Sequence, residues 1–126
     1  MIVRKLIGGF AAAMVLAIST SAVAHHGWSW AEDEQIEMTG TIQSISFAPP
    51  HPSLVVEIDG KVWDVELGNP NQTQRAGFVE GEAEIGDEVV ILGHRSLDES
   101  KLVIKAVRIT IDGQNYDLYP QLIENR

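Results

Sequence analysis

The sequence predicts an all-β domain with one short helix, closed into an OB-like small β-barrel. Several short segments alternate apolar and polar residues with the period of two that half-buried strands show. One helix-compatible segment falls between the third and fourth of these strands, and this element order is that of an OB barrel. Periodicity does not distinguish a closed barrel from two packed layers, so a small β-sandwich with the same strands is the alternative.

The first three strands precede the helix. "EMTGTIQSISF", residues 37–47, is predicted as one long strand in which Gly40 suggests a bulge or bend. The proline-rich "FAPPHP" ends this strand, because proline removes ladder donors. Strands at 53–58 and 61–67 form a hairpin through the Asp-Gly dipeptide at 59–60, which suits a tight turn with positive φ.

The helix and the last strands follow. A helix is predicted over 70–76. Asn69 can cap its start, Pro70 suits the first helical position and Gly77 can end it. "GDEVVILGHRS" and "KLVIKAVRITI" are two further strands, and an Asp-Gly turn leads into a last short strand over 114–118. The predicted core consists of Ile42, Ile45, Val56, Ile58, Trp63, Val65, Val90, Leu92, Ile104, Val107 and Ile109.

Residues 1–24 have the pattern of a cleavable secretory signal peptide. A basic start is followed by an apolar run over 6–18 and by an Ala-Val-Ala end. The run is shorter than the roughly 20 residues that a membrane-spanning helix needs, so a retained membrane anchor is the lesser alternative. Cleavage after Ala24 would leave 25–126 as a single OB-like domain without a membrane span. Such a protein is periplasmic or secreted, and it begins at His25.

Charge and cysteine content narrow the classes of partner. The formal net charge is −9 at pH 7, and loss of Arg4 and Lys5 with the signal peptide makes it −11. Phosphate backbones and anionic lipid surfaces repel such a polyanion, so no nucleic-acid partner is expected. The chain has no cysteine, and it therefore has no disulfide, thiolate ligand or lipoprotein anchor.

Several motifs together carry a family resemblance: "HHGWSW", the Pro50-His51 pair, "GKVWDVELGNP", "RAGF", "GDEVVILGHRS" and "ITIDGQNYDL". With them the chain resembles a family of small exported bacterial proteins of unknown function with a mature His-His-Gly-Trp N-terminus. The resemblance spans essentially all of 25–126. It implies export and one small β-rich domain, and it supplies no activity and no catalytic residues. Ala31 departs from the family pattern, in which an aromatic is usual, and Pro50 stands where asparagine commonly precedes the histidine.

The paired histidines at the predicted mature N-terminus suggest a metal site. His25 would offer a free amine and an imidazole, and His26 could chelate through its imidazole, the intervening amide nitrogen and the same amine. Such nitrogen donors favour copper, which heads the affinity order of divalent first-row metals, with zinc as second choice. His51 is the natural further ligand, because its loop joins the first two strands on the rim where OB barrels commonly bind ligands. His94, near the end of the fourth strand, could face that rim or the solvent.

Other functions remain open on sequence grounds. Paired histidines beside a cleavage site also suit a mobile polar terminus. The protein would then be a cell-envelope scaffold or a module that binds a protein or glycan, with Trp28 and Trp30 as stacking platforms or apolar plugs. An oxidative copper enzyme would need an open coordination position and a redox partner, and the sequence indicates neither. The sequence also lacks a G-x-S-x-G motif and a glycine-rich phosphate loop, so familiar hydrolase or kinase catalysis is not supported.

Overall fold

Six strands and one α-helix organise residues 27–124, the part of the chain that the computed structural model describes. Their order and type agree with the sequence prediction. They are β1 (Ile36–Ser46), β2 (Ser53–Ile58), β3 (Lys61–Glu66), α1 (Pro70–Arg75), β4 (Glu88–Arg95), β5 (Val103–Ile111) and β6 (Gln114–Asp117), with a 3-10 turn at Pro120–Leu122.

The local turn and cap predictions are confirmed. Asp59 and Gly60 have φ angles of +52° and +79°, the left-handed conformation that a two-residue hairpin turn requires. At the start of α1 the Asn69 side chain accepts a hydrogen bond of 2.8 Å from the backbone N–H of Gln72, whose side chain accepts one from the Asn69 N–H. This reciprocal pair is a capping box, which fixes where the helix begins.

The barrel closes because β3 and β5 pair in parallel. β1 pairs with β2 and β4, β2 also pairs with β3, and β4 also pairs with β5, so each of these five strands has two neighbours. This ring confirms the OB-like barrel and rules out the alternative β-sandwich. β6 pairs with β5 beyond the segment that β3 occupies.

Strand β1 pairs with a different strand along each half of its length, and Gly40 lies close to the change from one partner to the other. Its first half pairs with β4 and its second half with β2. A Cβ atom on Gly40 would overlap the carbonyl oxygen of Glu57 and lie 2.6 Å from the Ile58 side chain. The bulge in β1 lies further along, between Ile42 and Ser44. Gly40 is therefore needed for close strand approach, and the bulge, one of the two features that the sequence suggested there, lies elsewhere in β1.

The barrel interior is a continuous apolar core, but β4 faces it differently from the prediction. Val89 and Ile91 are fully buried in the core, and the prediction that Val90 and Leu92 fill it is wrong. Val90 is half-buried, and Leu92 is buried outside the core cluster. Because most of β4 is covered on both faces, its apolar run has no alternation from which the inward face could be recognised.

A bulge in β5 explains a second difference. Val107 is an extra residue between the pairs Leu92–Arg108 and Gly93–Ala106. It is fully buried as predicted, yet it lies outside the barrel core cluster. Its carbonyl oxygen accepts hydrogen bonds of 2.8 and 3.1 Å from the two residues that follow β6. The C-terminal segment is thereby held against the outer face of the barrel.

The remaining predicted core residues are buried, except for Ile45, which is half-buried and packs against the cluster. No helix within residues 27–124 has the length and apolar character needed to cross a bilayer.

We expect Gly40→Val to lower the free energy of unfolding by about 1–3 kcal/mol or more, because the added side chain overpacks the β1–β2 contact. Urea denaturation measures the loss. Thr39→Val is the matched control, since Thr39 is exposed on the same strand and is already β-branched. Equal denaturation midpoints for the two variants would contradict the need for close approach at Gly40.

Candidate functional site

Three polar side chains lie side by side on the outer face of the barrel, and we call them the polar band: Glu66 of β3, Lys105 of β5 and His94 of β4. Lys105 is the direct ladder partner of both Glu66 and His94. Direct partners project from the same face of a sheet. Their neighbours Val65 and Ile104 belong to the core, so the band faces outward.

Lys105 is the most enclosed charge of the band, with 5% of its surface exposed. Its Nζ donates a hydrogen bond of 2.6 Å to the carbonyl oxygen of Leu67. The ring centroids of Trp28 and Tyr119 lie 5.3 and 5.5 Å from Nζ, and the two rings meet edge to face at 4.9 Å. These cation–π contacts replace part of the water that a buried ammonium loses. Burial lowers the pKa of Lys105, and the charge of Glu66 opposes that shift.

Burial also raises the pKa of Tyr119, and the negative charge of Glu66 raises it further. Glu66 therefore acts electrostatically on both groups in the same direction, favouring the protonated form of each. The carboxylate itself is partly open to solvent, with 31% of its side chain exposed. It is the point at which the polar band meets the solvent.

His94 is buried in a closed hydrogen-bond network, with 3% of its surface exposed. Its Nδ1 lies 2.9 Å from the carbonyl oxygen of Glu32, which can only accept, so Nδ1 carries the proton. Its Nε2 then accepts from the side-chain amide of Gln35 at 3.2 Å. The Gln35 amide also bonds the backbone of Leu122 and Glu124, at 2.9 and 3.1 Å. Both ring nitrogens of His94 thus join the two terminal segments to β4.

Residues 27–35 form a strap along the end of β4. The Glu32 N–H donates to the carbonyl oxygen of Arg95 at 2.8 Å, and the Leu97 N–H donates to that of Trp30 at 2.9 Å. Trp28 is half-buried over the polar band, whereas Trp30 is 36% exposed. The two tryptophans therefore occupy different environments. Trp28 is an apolar plug, and Trp30 faces the solvent.

His51 lies next to the polar band through Glu66. It sits in the loop between β1 and β2, as the sequence indicated, with 32% of its side chain exposed. Its Nε2 lies 3.7 Å from Oε1 of Glu66. Its Nδ1 is buried and has no hydrogen-bond partner within residues 27–124. His51 therefore differs from His94, whose two nitrogens are both engaged.

The predicted ligands His25 and His26 lie outside the described residues. Among residues 27–124, no three His, Cys, Asp or Glu side chains are grouped so that they could hold a metal ion. The described chain thus contributes His51 alone from the predicted ligand set. Sequence reasoning did not find Glu66, Lys105 or Tyr119, which meet through strand pairing and through the return of the C-terminal segment. A lone lysine within the apolar run "LVIKAVRITI" was the available signal.

Comparison with known families gives one match. The model of a family of unknown function, DUF6152, matches residues 12–104. No curated protein matches the chain. The match confirms the resemblance to a family without an established activity, and its range includes His51, Glu66 and His94 but ends one residue before Lys105.

His94→Ala should lower the free energy of unfolding by about 1–3 kcal/mol, because the partly buried Glu32 carbonyl and the buried Gln35 amide lose a partner. Urea denaturation of the metal-free protein tests this. His51→Ala is the matched control and should change stability by only about 0.5 kcal/mol, as is usual for partly exposed side chains without structural hydrogen bonds. Similar losses in both variants would contradict the distinction between a structural and an available histidine.

Proposed function

The chain belongs to DUF6152, a family of unknown function, and we propose that this member is an exported protein that binds a metal ion. Its ligands are His25, His26 and His51, and its metal is copper in preference to zinc. The observation that carries the proposal is the environment of His51, whose buried Nδ1 has no hydrogen-bond partner among the described residues. An unpaired buried nitrogen is costly, and a metal ion would satisfy it.

The anchoring of Trp28 supports the participation of the two N-terminal histidines. Trp28 lies over Lys105, the ladder partner of Glu66, and Glu66 is 3.7 Å from His51. Consecutive Cα atoms are about 3.8 Å apart, so His26 and His25 begin within roughly 8 and 11 Å of Trp28 along the chain. This short tether to Trp28 is the support for including the two histidines in one ligand set with His51.

The donor chemistry supports copper. After cleavage behind Ala24, the first residue presents its α-amine and imidazole together, and nitrogen donors in tetragonal geometry suit Cu(II). An α-amine has an ordinary pKa of about 8, so it gives up its proton to a metal at modest cost near neutral pH. His51 would add a further imidazole donor, from a loop of the barrel.

A metal-free interaction module of the cell envelope is the second candidate. A specific surface favours it: Trp30 and Leu97, which are 36% and 57% exposed, are joined by a backbone hydrogen bond of 2.9 Å. Exposed tryptophan offers a flat apolar face to a protein or a glycan. This surface includes part of the strap and does not use the histidines.

We expect the exported protein to begin at His25. Intact-mass spectrometry of the protein recovered from the periplasm or medium should show loss of residues 1–24. A retained Met1, or a cut at another position, would remove the terminal amine from the proposed ligand set.

We expect a single added alanine before His25 to weaken copper binding by at least about 100-fold. Changing a residue that only supports a metal ligand typically lowers metal affinity by roughly 10- to 100-fold, and loss of a ligand should cost more. The extension moves the amine away and leaves every side chain in place. His51→Ala should also weaken binding, and His94→Ala should matter less. Calorimetric titration compares these proteins with the processed chain at one pH. Equal affinities for the processed chain, the extension and His51→Ala would reject the metal site and favour the interaction module.

A further inference from the structure

Gln35 holds the C-terminal segment through a side-chain amide that has only one possible orientation. Its N–H donates to the carbonyl oxygen of Leu122 at 2.9 Å, and its oxygen accepts from the backbone N–H of Glu124 at 3.1 Å. A backbone carbonyl can only accept and a backbone N–H can only donate, so these two partners decide which end of the amide carries the donors. The donor end therefore faces Nε2 of His94, at 3.2 Å.

His94 fits these surroundings only as a neutral ring. Its Nδ1–H donates to the carbonyl oxygen of Glu32 at 2.9 Å, and its Nε2 has to accept from Gln35. A proton on Nε2 would face the amide donor, and rotation of that amide would break both of its bonds to the C-terminal segment. Hydrogen bonds made to the neutral form of a group oppose its ionisation. The ring is 3% exposed, so solvation of a charged imidazole requires the covering segments to move.

Charges on the elements packed against His94 add to this constraint. Lys105 of β5 is its direct ladder partner, so a charged ring would lie beside a buried ammonium. Arg108, further along β5, is already paired with Asp117 at 2.6 Å. Burial raises the pKa of Tyr119, which therefore carries no compensating charge near neutral pH. Carboxylates are carried by the strap, β1, β3 and the C-terminal segment: Glu32, Asp33, Glu34, Glu37, Glu66 and Glu124.

We propose that His94 and Gln35 form an acid-sensitive latch: proton uptake at Nε2 separates Gln35 from the ring and releases the strap and the C-terminal segment from the outer face of the barrel. The two segments meet beside the latch, where the rings of Trp28 and Tyr119 contact each other and cover the ammonium of Lys105. Release would therefore also expose this ammonium to water. The five-stranded ring closes through β3 and β5 and does not include the latch. The inference is independent of the proposed metal site.

Proton linkage gives the direction and the slope of the expected response. The open form takes up a proton with the ordinary imidazole pKa of about 6.5 and the closed form does not, so opening becomes more favourable as the pH falls below about 6.5. One linked proton changes the opening equilibrium by about tenfold for each unit of pH.

Hydrogen exchange of three backbone N–H groups measures the opening, after correction for their intrinsic exchange rates. Those of Glu32 and Leu97 hold the strap, and that of Tyr119 holds the C-terminal segment to β5. In metal-free protein we expect their protection to fall by about tenfold for each unit of pH below about 6.5. The N–H groups shared between β2 and β3 should stay more strongly protected at every pH, because the barrel remains closed.

Two variants assign the response to His94. His94→Asn keeps an amide donor for the Glu32 carbonyl and has no titratable ring, so protection of the three N–H groups should lose the tenfold slope. His51→Ala is the matched control, because it removes the other histidine of the described chain and should keep the slope. A slope that persists in His94→Asn, or that is lost in His51→Ala, would overturn the latch.

A second measurement uses the unmodified protein and so does not depend on how a variant folds. Long-range 1H–15N spectra of protein labelled with 15N at histidine show which ring nitrogens carry protons. We expect the neutral Nδ1–H form of His94 at about pH 7.5, one unit above the ordinary imidazole pKa. The doubly protonated ring should appear only together with loss of protection in the two segments. A neutral Nε2–H ring, or a doubly protonated ring under segments that remain protected, would overturn the proposal.

Discussion

The parallel pairing of β3 with β5 is the constraint on which the rest of this structure depends. It joins Asp64–Glu66 to Val103–Lys105 and converts an open sheet into a ring. Without it, both strands would present unpaired backbone groups, which invite pairing with another chain. Closure requires strands to bend and approach closely, and two glycines permit this. A Cβ on Gly93 would overlap the carbonyl oxygen of Lys105, as one on Gly40 would overlap that of Glu57.

Closure brings Lys105 beside Glu66 on the outer face, where Trp28 and Tyr119 of the two terminal segments cover its ammonium. A buried ammonium is tolerated only with compensating partners. The carbonyl of Leu67 supplies one, and the rings of Trp28 and Tyr119 supply the others from opposite ends of the described chain. The strap and the C-terminal segment are therefore part of the fold. Hydrogen bonds through Gln35 and His94 also link the two segments. His94 bonds the Glu32 carbonyl and the Gln35 amide of the strap, and the same amide donates to the Leu122 carbonyl of the C-terminal segment.

The same arrangement gives His51 and His94 different surroundings, and the sequence had favoured His51 as the further ligand. His94 is enclosed, and its nitrogens hold the termini together, so its ligation by a metal would break structural hydrogen bonds. His51 is on a loop and partly exposed, its Nε2 lies 3.7 Å from Oε1 of Glu66, and its Nδ1 has no hydrogen-bond partner in the part of the chain that the structure describes. Availability for binding thus depends on hydrogen bonding and not on residue type. Glu66 links the two roles, since it belongs to the polar band and touches the candidate ligand.

The sequence by itself determined the local elements: the Asp59-Gly60 turn, the Asn69 cap, the strand positions to within about two residues and the element order from which the OB-like barrel was predicted. Each depends on residues a few positions apart. It also predicted His51 in the rim loop, and export and the roles of His25 and His26 stay predictions. Only the tertiary structure decided that Val89 and Ile91 fill the core, and that Glu66, Lys105 and Tyr119 meet. Closure of the barrel decides which side chains of a strand buried on both faces point inward. It also decides which strands far apart in the sequence come into contact. Neither outcome leaves a periodic pattern in the sequence.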